Sequence, residues 1–222
     1  MHVHRLFICT IGWTEVPIVR LVVRHGLEVG DFVLLVKPTG SDEKAEAALS
    51  SIKDFLGKLW GEVSSKNFSV LEIDPLDPIT SIKRVKNLIK HIEAKKLIAI
   101  LSGGMRSILL IVLMAILYLN YSLKDVELTI EVDIEGRNEY LRLDSRLIDI
   151  VKWRPTEAQL KMLELIRNKP LTMRELAESL DVNVSTVYRW FKEFEKMGLA
   201  EIKKEKRRAA LLQATDLCNL IF

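Results

Sequence analysis

Between Pro155 and Arg208 the chain carries three short helical patterns punctuated at fixed places, and this order constrains the fold more than any other segment. The first, Glu157 to Asn168, closes at Pro170; the second, Met173 to Leu180, stops at Asp181-Val182-Asn183; the third, Ser185 to Met197, ends at Gly198. Proline and glycine end helices for different reasons, one lacking an N–H donor and the other accepting a left-handed turn. In the third helix Val187, Phe191 and Phe194 recur at spacings of four and three with Trp190 beside them, which predicts that this face packs on the first two helices. The opposite face carries Ser185, Thr186, Tyr188, Arg189 and Lys192. Leu199 to Lys203 and the apolar Ala209 to Leu212 then flank a basic run, Lys203, Lys204, Lys206, Arg207 and Arg208, in the outline of a hairpin with a charged tip. Three helices followed by such a hairpin describe a winged helix-turn-helix over residues 155–222.

The polar face of the third helix holds side-chain types that reach base edges and phosphates from the major groove of double-stranded DNA, so it reads as a DNA-contacting surface. Lys204, Lys206, Arg207 and Arg208 would place the wing on phosphates. A protein–protein module is the competing reading of the same fold. The charge distribution weighs against it. Of the chain's 33 Lys+Arg and 30 Asp+Glu, residues 150–222 hold 14 and 10, while residues 1–149 hold 19 and 20. The positive excess therefore sits in the last third, where neutralised phosphates release counterions and supply sequence-independent affinity.

The first 144 residues alternate strand and helix signals. Leu6 to Thr10, Phe32 to Val36 and Leu97 to Leu101 are short β-forming apolar runs, separated by helical stretches at Glu15 to Arg24, Glu43 to Trp60 and Ile79 to Glu93. This alternation predicts an α/β domain with a Rossmann-like, mostly parallel sheet covered on both faces. Val126 to Val132 and Tyr140 to Leu143 predict an antiparallel hairpin at the sheet edge, and residues 145–154 a connector into the second domain. At 222 residues and 49% hydrophobic content the chain suits two compact domains.

Cys9 and Cys218 cannot make a disulfide framework, and the N-terminus has no apolar segment of signal-peptide type, so a reducing cytoplasm is expected. The longest apolar run, Ile108 to Leu119, is too short for the roughly 20 residues that span a bilayer and predicts a buried helix, with no membrane partner. The four histidines have no Cys or carboxylate at ligand spacing, so neither a metal nor a resident cofactor is expected.

Ligands of open α/β sheets sit beyond the carboxyl ends of the strands, beside helix N-termini. Two loops there are unusual. Thr10-Ile11-Gly12-Trp13-Thr14 offers hydroxyls, a glycine and a capping residue for the next helix; Ser102-Gly103-Gly104-Met105-Arg106-Ser107 pairs a tight glycine turn with a permanent guanidinium at a helix start. Together they predict an anion site whose glycines let backbone come close to a ligand. Neither Gly-x-Gly-x-x-Gly nor a P-loop is present, which removes the fingerprints of dinucleotide and nucleoside-triphosphate binding.

The run Phe7-Ile8-Cys9-Thr10-Ile11-Gly12-Trp13, the run Leu101-Ser102-Gly103-Gly104-Met105-Arg106 before an apolar helix, and the terminal winged helix together resemble the archaeal CRISPR-locus transcription regulators of the Csa type. In these a CRISPR-associated Rossmann-fold (CARF) sensor domain precedes a winged helix. The resemblance spans the chain, and Gly104-Met105-Arg106 is its most specific piece. It implies a homodimer whose two ligand loops per protomer enclose cyclic oligoadenylate, commonly cyclic tetra-adenylate. Thr10, Gly12 and Trp13 would belong to one loop and Ser102, Gly103, Gly104, Met105 and Arg106 to the other. A ring with a two-fold axis suits a dimer axis, and two winged helices related by the same axis suit an inverted repeat in DNA. The leading expectation is a ligand-responsive, non-catalytic transcription regulator. Two alternatives stay open: a ring nuclease that aligns a ribose hydroxyl through Thr10, Ser102 and Arg106, and an interaction scaffold that exposes Tyr188 and Trp190 together.

Overall fold

The computed structural model describes residues 3–40, 43–60, 67–119, 126–134, 136–137, 139–203 and 210–222. They fall into two compact units, residues 1–145 and 146–222.

In the first unit, β1 (Val3–Thr10) leads through α1 (Val16–His25) to β2 (Phe32–Pro38), and through α2 (Glu43–Trp60) to β3 (Phe68–Ile73). Then α3 (Pro78–Ile92), β4 (Ala94–Ile100), α4 (Arg106–Leu119) and the hairpin β5 (Glu127–Asp133) and β6 (Tyr140–Asp144) complete it. The sheet order is β3-β2-β1-β4-β5-β6, parallel except for β6. β1 and β2 are apolar on both faces because helices cover both, as central parallel strands require. Phe7, Cys9, Val33, Leu35, Ile98 and Ile100 meet Ile18 and Leu21 of α1 and Ile52 and Leu56 of α2 in one core. The strand order reverses between β1 and β4, so the loops after these two strands open side by side.

β3 has no counterpart in the sequence-predicted strands. Ser69 and Glu72 interrupt its apolar pattern, and Glu72 is held there by an ion pair of 3.0 Å with the buried Lys37 of β2. The helix expected at Ile108 to Leu119 starts earlier, at Arg106, and buries Ile108, Ile111, Val112, Ala115, Ile116 and Leu119. Its other side is bare: Leu110, Met114 and Tyr118, four residues apart, are 57%, 40% and 50% exposed.

Beside the core, a charged network ties α1 to the hairpin. The Arg24 guanidinium donates to Asp133 at 2.8 Å, His25 Nε2 lies 3.1 Å from Glu131, and Arg24 stacks on Tyr140 with its carbon 4.4 Å from the ring centre. Burial pushes the Glu131 carboxyl up, but the hydrogen bond and charge of His25 with Arg24 and Arg142 outweigh it and hold it below the ordinary carboxylate range.

The second unit begins at α5 (Ser145–Lys152) and continues with α6 (Glu157–Asn168), β7 (Leu171–Thr172), α7 (Met173–Leu180), α8 (Val184–Met197), β8 (Ala200–Lys203), β9 (Leu211–Ala214) and a 3-10 turn over Asp216–Leu220. The segment expected as a connector is thus mostly helix. Its Ile150 and Trp153 enter the second unit's core, Trp153 edge-on to Phe194 at 5.5 Å, because an isolated helix of this length has to bury its apolar side to persist. Helices α6 and α7 start on reciprocal capping boxes, Thr156 with Gln159 and Thr172 with Glu175. The wing's second strand lies two residues later than Ala209 to Leu212, since Lys203 pairs with Leu211 and Ile202 with the buried Leu212. A three-stranded sheet, β7-β9-β8, results.

Among the described residues no helix is long and apolar enough to cross a membrane.

Candidate functional site

Two surfaces carry the chemistry, one on each unit. On the first, a half-open cleft of about 800 Å³ lies above the carboxyl ends of the strands. The loop after β1 gives it Ile11, Gly12 and Trp13, and the start of α4 gives it Gly104, Met105 and Arg106. No carboxylate lines it.

The glycines explain how two loops make one wall. A Cβ on Gly12 would stand 2.5 Å from the Gly104 nitrogen, one on Gly103 would stand 2.7 Å from the Thr10 carbonyl oxygen, and one on Gly104 would overlap the Ile11 carbonyl oxygen. The loops touch backbone to backbone. Glycine is thus required at these positions for the loops to approach one another, and not for the approach of a ligand that the sequence suggested. Gly104 also needs a positive φ, +87°.

Of the residues expected here, Ile11, Gly12, Trp13, Gly104, Met105 and Arg106 line the cleft, whereas Thr10, Thr14, Ser102, Gly103 and Ser107 do not. Thr10 is buried at the end of β1, with no hydrogen-bond partner for its hydroxyl. Thr14 accepts the Val16 N–H at 3.3 Å, but the residue at the cap position of α1 is Glu15. Ser102 Oγ accepts the Asp133 N–H at 2.8 Å, fastening the second loop to the end of β5. Arg106 is exposed and makes no hydrogen bond or ion pair among the described residues. Its charge at a helix start, where unpaired N–H groups point outward, suits an anion.

The cleft is wider than the two predicted loops. Pro38, Thr39 and Gly40 after β2, Ala45 on α2 and Pro75 after β3 close its far side. The strand-end rule that selected the other loops applies equally to Pro38-Thr39-Gly40, a turn-forming run between a strand and a helix. Pro75 was hidden with β3.

On the second unit, α8 buries Val187, Phe191, Phe194 and Met197 and turns Ser185, Tyr188, Arg189 and Lys192 outward, with Thr186 half-buried. Trp190 packs against the core, so it is not exposed together with Tyr188. Glu193 anchors the rear of the helix by accepting from Trp153 Nε1 at 3.1 Å and Gln159 Nε2 at 2.8 Å. The outward cations differ. Lys192 is paired with Glu195 at 2.6 Å, which raises its pKa, whereas Arg189 has no ion pair among the described residues. Of the basic wing residues only Lys203 is described, and it is exposed; Lys204, Lys206, Arg207 and Arg208 lie outside the described residues.

Residues 5–144 match the Csa3 CRISPR-associated Rossmann-like domain, and residues 156–201 match the family described as bacterial regulatory protein, arsR family. No curated protein matches the sequence. Among solved structures, the adhesin competence repressor AdcR from Streptococcus pyogenes is 23% identical, over 34% of this chain and 57% of its own, with a TM-score of 0.29. A zinc-dependent MarR family transcriptional regulator AdcR in its Zn(II)-bound state is 32% identical over 32% of this chain and 49% of its own, with a TM-score of 0.28. A homodimeric winged helix-turn-helix DNA-binding domain from Mycobacterium bovis is 17% identical over 34% of this chain and 71% of its own, with a TM-score of 0.31. The chain spans about half the length of the first two of these proteins.

Proposed function

The chain belongs to the family of the Csa3 CRISPR-associated Rossmann-like domain, and from that premise we propose that it is a ligand-responsive, DNA-binding transcription regulator of CRISPR-Cas loci, which senses cyclic oligoadenylate, in the first instance cyclic tetra-adenylate, as a homodimer. The observation that carries the reading is the carboxylate-free cleft in which two loops meet backbone to backbone beside the unpaired guanidinium of Arg106. Such a cleft accepts a phosphodiester: the cation and the helix N-terminus favour negative charge, and no acidic group repels it. A second copy would complete the enclosure of a ring. The bare Leu110, Met114 and Tyr118 side of α4 offers the apolar surface a partner needs.

The output is the second unit, with the match to a bacterial regulatory family over residues 156–201 and a polar reading face on α8. Ligand alters promoter affinity by the ratio of its affinities for the DNA-competent and DNA-incompetent dimers. Of the three groups a ring nuclease would use here, Thr10 is buried and the Ser102 oxygen already accepts a backbone N–H, which favours binding without cleavage.

Calorimetric titration of cyclic tetra-adenylate into the wild type and Arg106→Ala, with and without a duplex carrying the locus promoter, tests both halves. Loss of the charge-assisted bond weakens ligand binding by about 1.5–3 kcal/mol while basal DNA binding is kept and the ligand response is lost. Equal ligand affinity in the two proteins removes the loop from the site. Ring opening during the titration would replace the regulator by a nuclease.

A further inference from the structure

The far wall of the cleft and the ring of Trp13 have no assigned task. Trp13 is 69% exposed, although an indole is among the most costly side chains to leave in water. It is also oriented: Lys44 Nζ of α2 lies 5.4 Å from the ring centre, so a cation from the far wall sits over an aromatic from the near one. Across the cleft from Arg106 stand Thr39 and Gly40. The Thr39 N–H is spent on the Ile73 carbonyl at 2.9 Å, but its hydroxyl makes no hydrogen bond among the described residues.

These parts match the parts of a nucleotide. An aromatic plane takes the face of a base, a hydroxyl that both donates and accepts reads an edge carrying an amino group and a ring nitrogen, and a guanidinium takes the phosphate. The volume of the cleft sets the scale. At about 800 Å³ it lies within the range that encloses a compound of drug size, which fits one or two nucleotide units and not a whole ring.

We propose that each protomer carries a self-contained nucleotide subsite, in which the base stacks on Trp13 with its edge toward Thr39 and the phosphate lies at Arg106. This rests on the oligoadenylate reading above and deepens it: a ring is held as two such units, one per protomer, and a linear 5′-phosphorylated diadenylate occupies a single protomer. Base specificity resides in the loop after β2, whereas the loops after β1 and β4 hold the platform and the charge.

The test is calorimetry of cyclic tetra-adenylate and of linear 5′-phosphorylated diadenylate against the full chain as wild type, Trp13→Ala and Trp13→Phe, with thermal melting of each. Because Trp13 is exposed, both variants melt with the wild type. Trp13→Ala weakens both ligands by about 5- to 150-fold, the range that loss of one base–aromatic stack produces, and Trp13→Phe returns affinity to within about 3-fold of wild type. If the ring binds all three proteins equally, or binds the Ala and Phe variants with the same deficit, the stacking subsite is wrong while ring sensing stands. Trp13-dependent binding of the diadenylate without binding of the ring would sustain the subsite and overturn ring sensing. If wild type binds neither ligand, both proposals fail.

Discussion

Replacing Gly104 by alanine separates the two reasons a glycine can stand in a ligand loop. If its bare backbone serves only the ligand, a methyl group there blocks binding and leaves folding intact. The structure predicts the reverse order of effects. The new Cβ would overlap the Ile11 carbonyl oxygen and lie 3.0 Å from the Ile11 carbon, so the loops after β1 and β4 must move apart. Two costs add: a left-handed conformation imposed on an L-residue, about 1–2 kcal/mol, and forced separation of packed groups, about 1–3 kcal/mol. Gly136 supplies the control, with a positive φ of +74° and no heavy atom within 4 Å of a built Cβ. Gly136→Ala therefore carries the first cost alone. In a chain of this size 1 kcal/mol displaces the melting midpoint by roughly 2–4 °C, so Gly104→Ala should melt about 2–12 °C below Gly136→Ala. Thermal melting by far-ultraviolet circular dichroism reads the difference directly. Coincident midpoints, with ligand binding lost only in Gly104→Ala, would refute the loop-to-loop packing argument.

Three other outcomes are expected. On DNA, Arg189→Ala should lose about 1–3 kcal/mol on the specific duplex if it reads a base, and Lys192→Ala less, because Glu195 already neutralises that ammonium at 2.6 Å. Removing Lys204 or Arg207 should weaken all sequences alike and flatten the salt dependence; an unchanged specific-to-random ratio for Arg189→Ala would dismiss α8 as the reading helix. For pH, the folded-state carboxyl of Glu131 lies below its unfolded value, so its stabilisation is fully present above the unfolded pKa and lost as pH falls through the folded one. Urea midpoints of wild type and Glu131→Gln should therefore converge on acidification below about pH 4.5, and parallel curves would contradict the sign. On assembly, Leu110→Glu with Met114→Glu should dissociate the dimer by at least about 3 kcal/mol per protomer, taking roughly 1.5 kcal/mol for each side chain; sedimentation that finds the wild type monomeric at micromolar concentration defeats the dimer itself.

How far the sequence led depends on whether a signal was local. Glu157–Asn168 and Met173–Leu180 stand where capping and periodicity placed them, because Thr156 with Gln159 and Thr172 with Glu175 set helix starts through bonds only three residues apart. β3 escaped because Ser69 and Glu72 break its pattern, and what makes Glu72 tolerable is Lys37 on the neighbouring strand, a partner 35 positions away in the chain. α5 escaped for a related reason: over Ser145–Lys152 the apolar residues are too few to declare a helix, and the face that Ile150 and Trp153 cover belongs to α8 and its neighbours. The site shows the same division. The glycine-rich loops and Arg106 were visible since strand–glycine–helix order marks strand ends locally, but the purpose of Gly12, Gly103 and Gly104 was not, because the atoms that exclude a Cβ there lie on the other loop, some 90 residues distant. Thr39 shows the remaining gap: its loop had the right composition, and only the sheet order β3-β2-β1-β4 reveals that it opens on the same side as Trp13 and Arg106. Residue chemistry was therefore readable wherever neighbours in sequence are neighbours in space, and the shape of the cleft was not, because it is made by strands that meet only after the chain has folded.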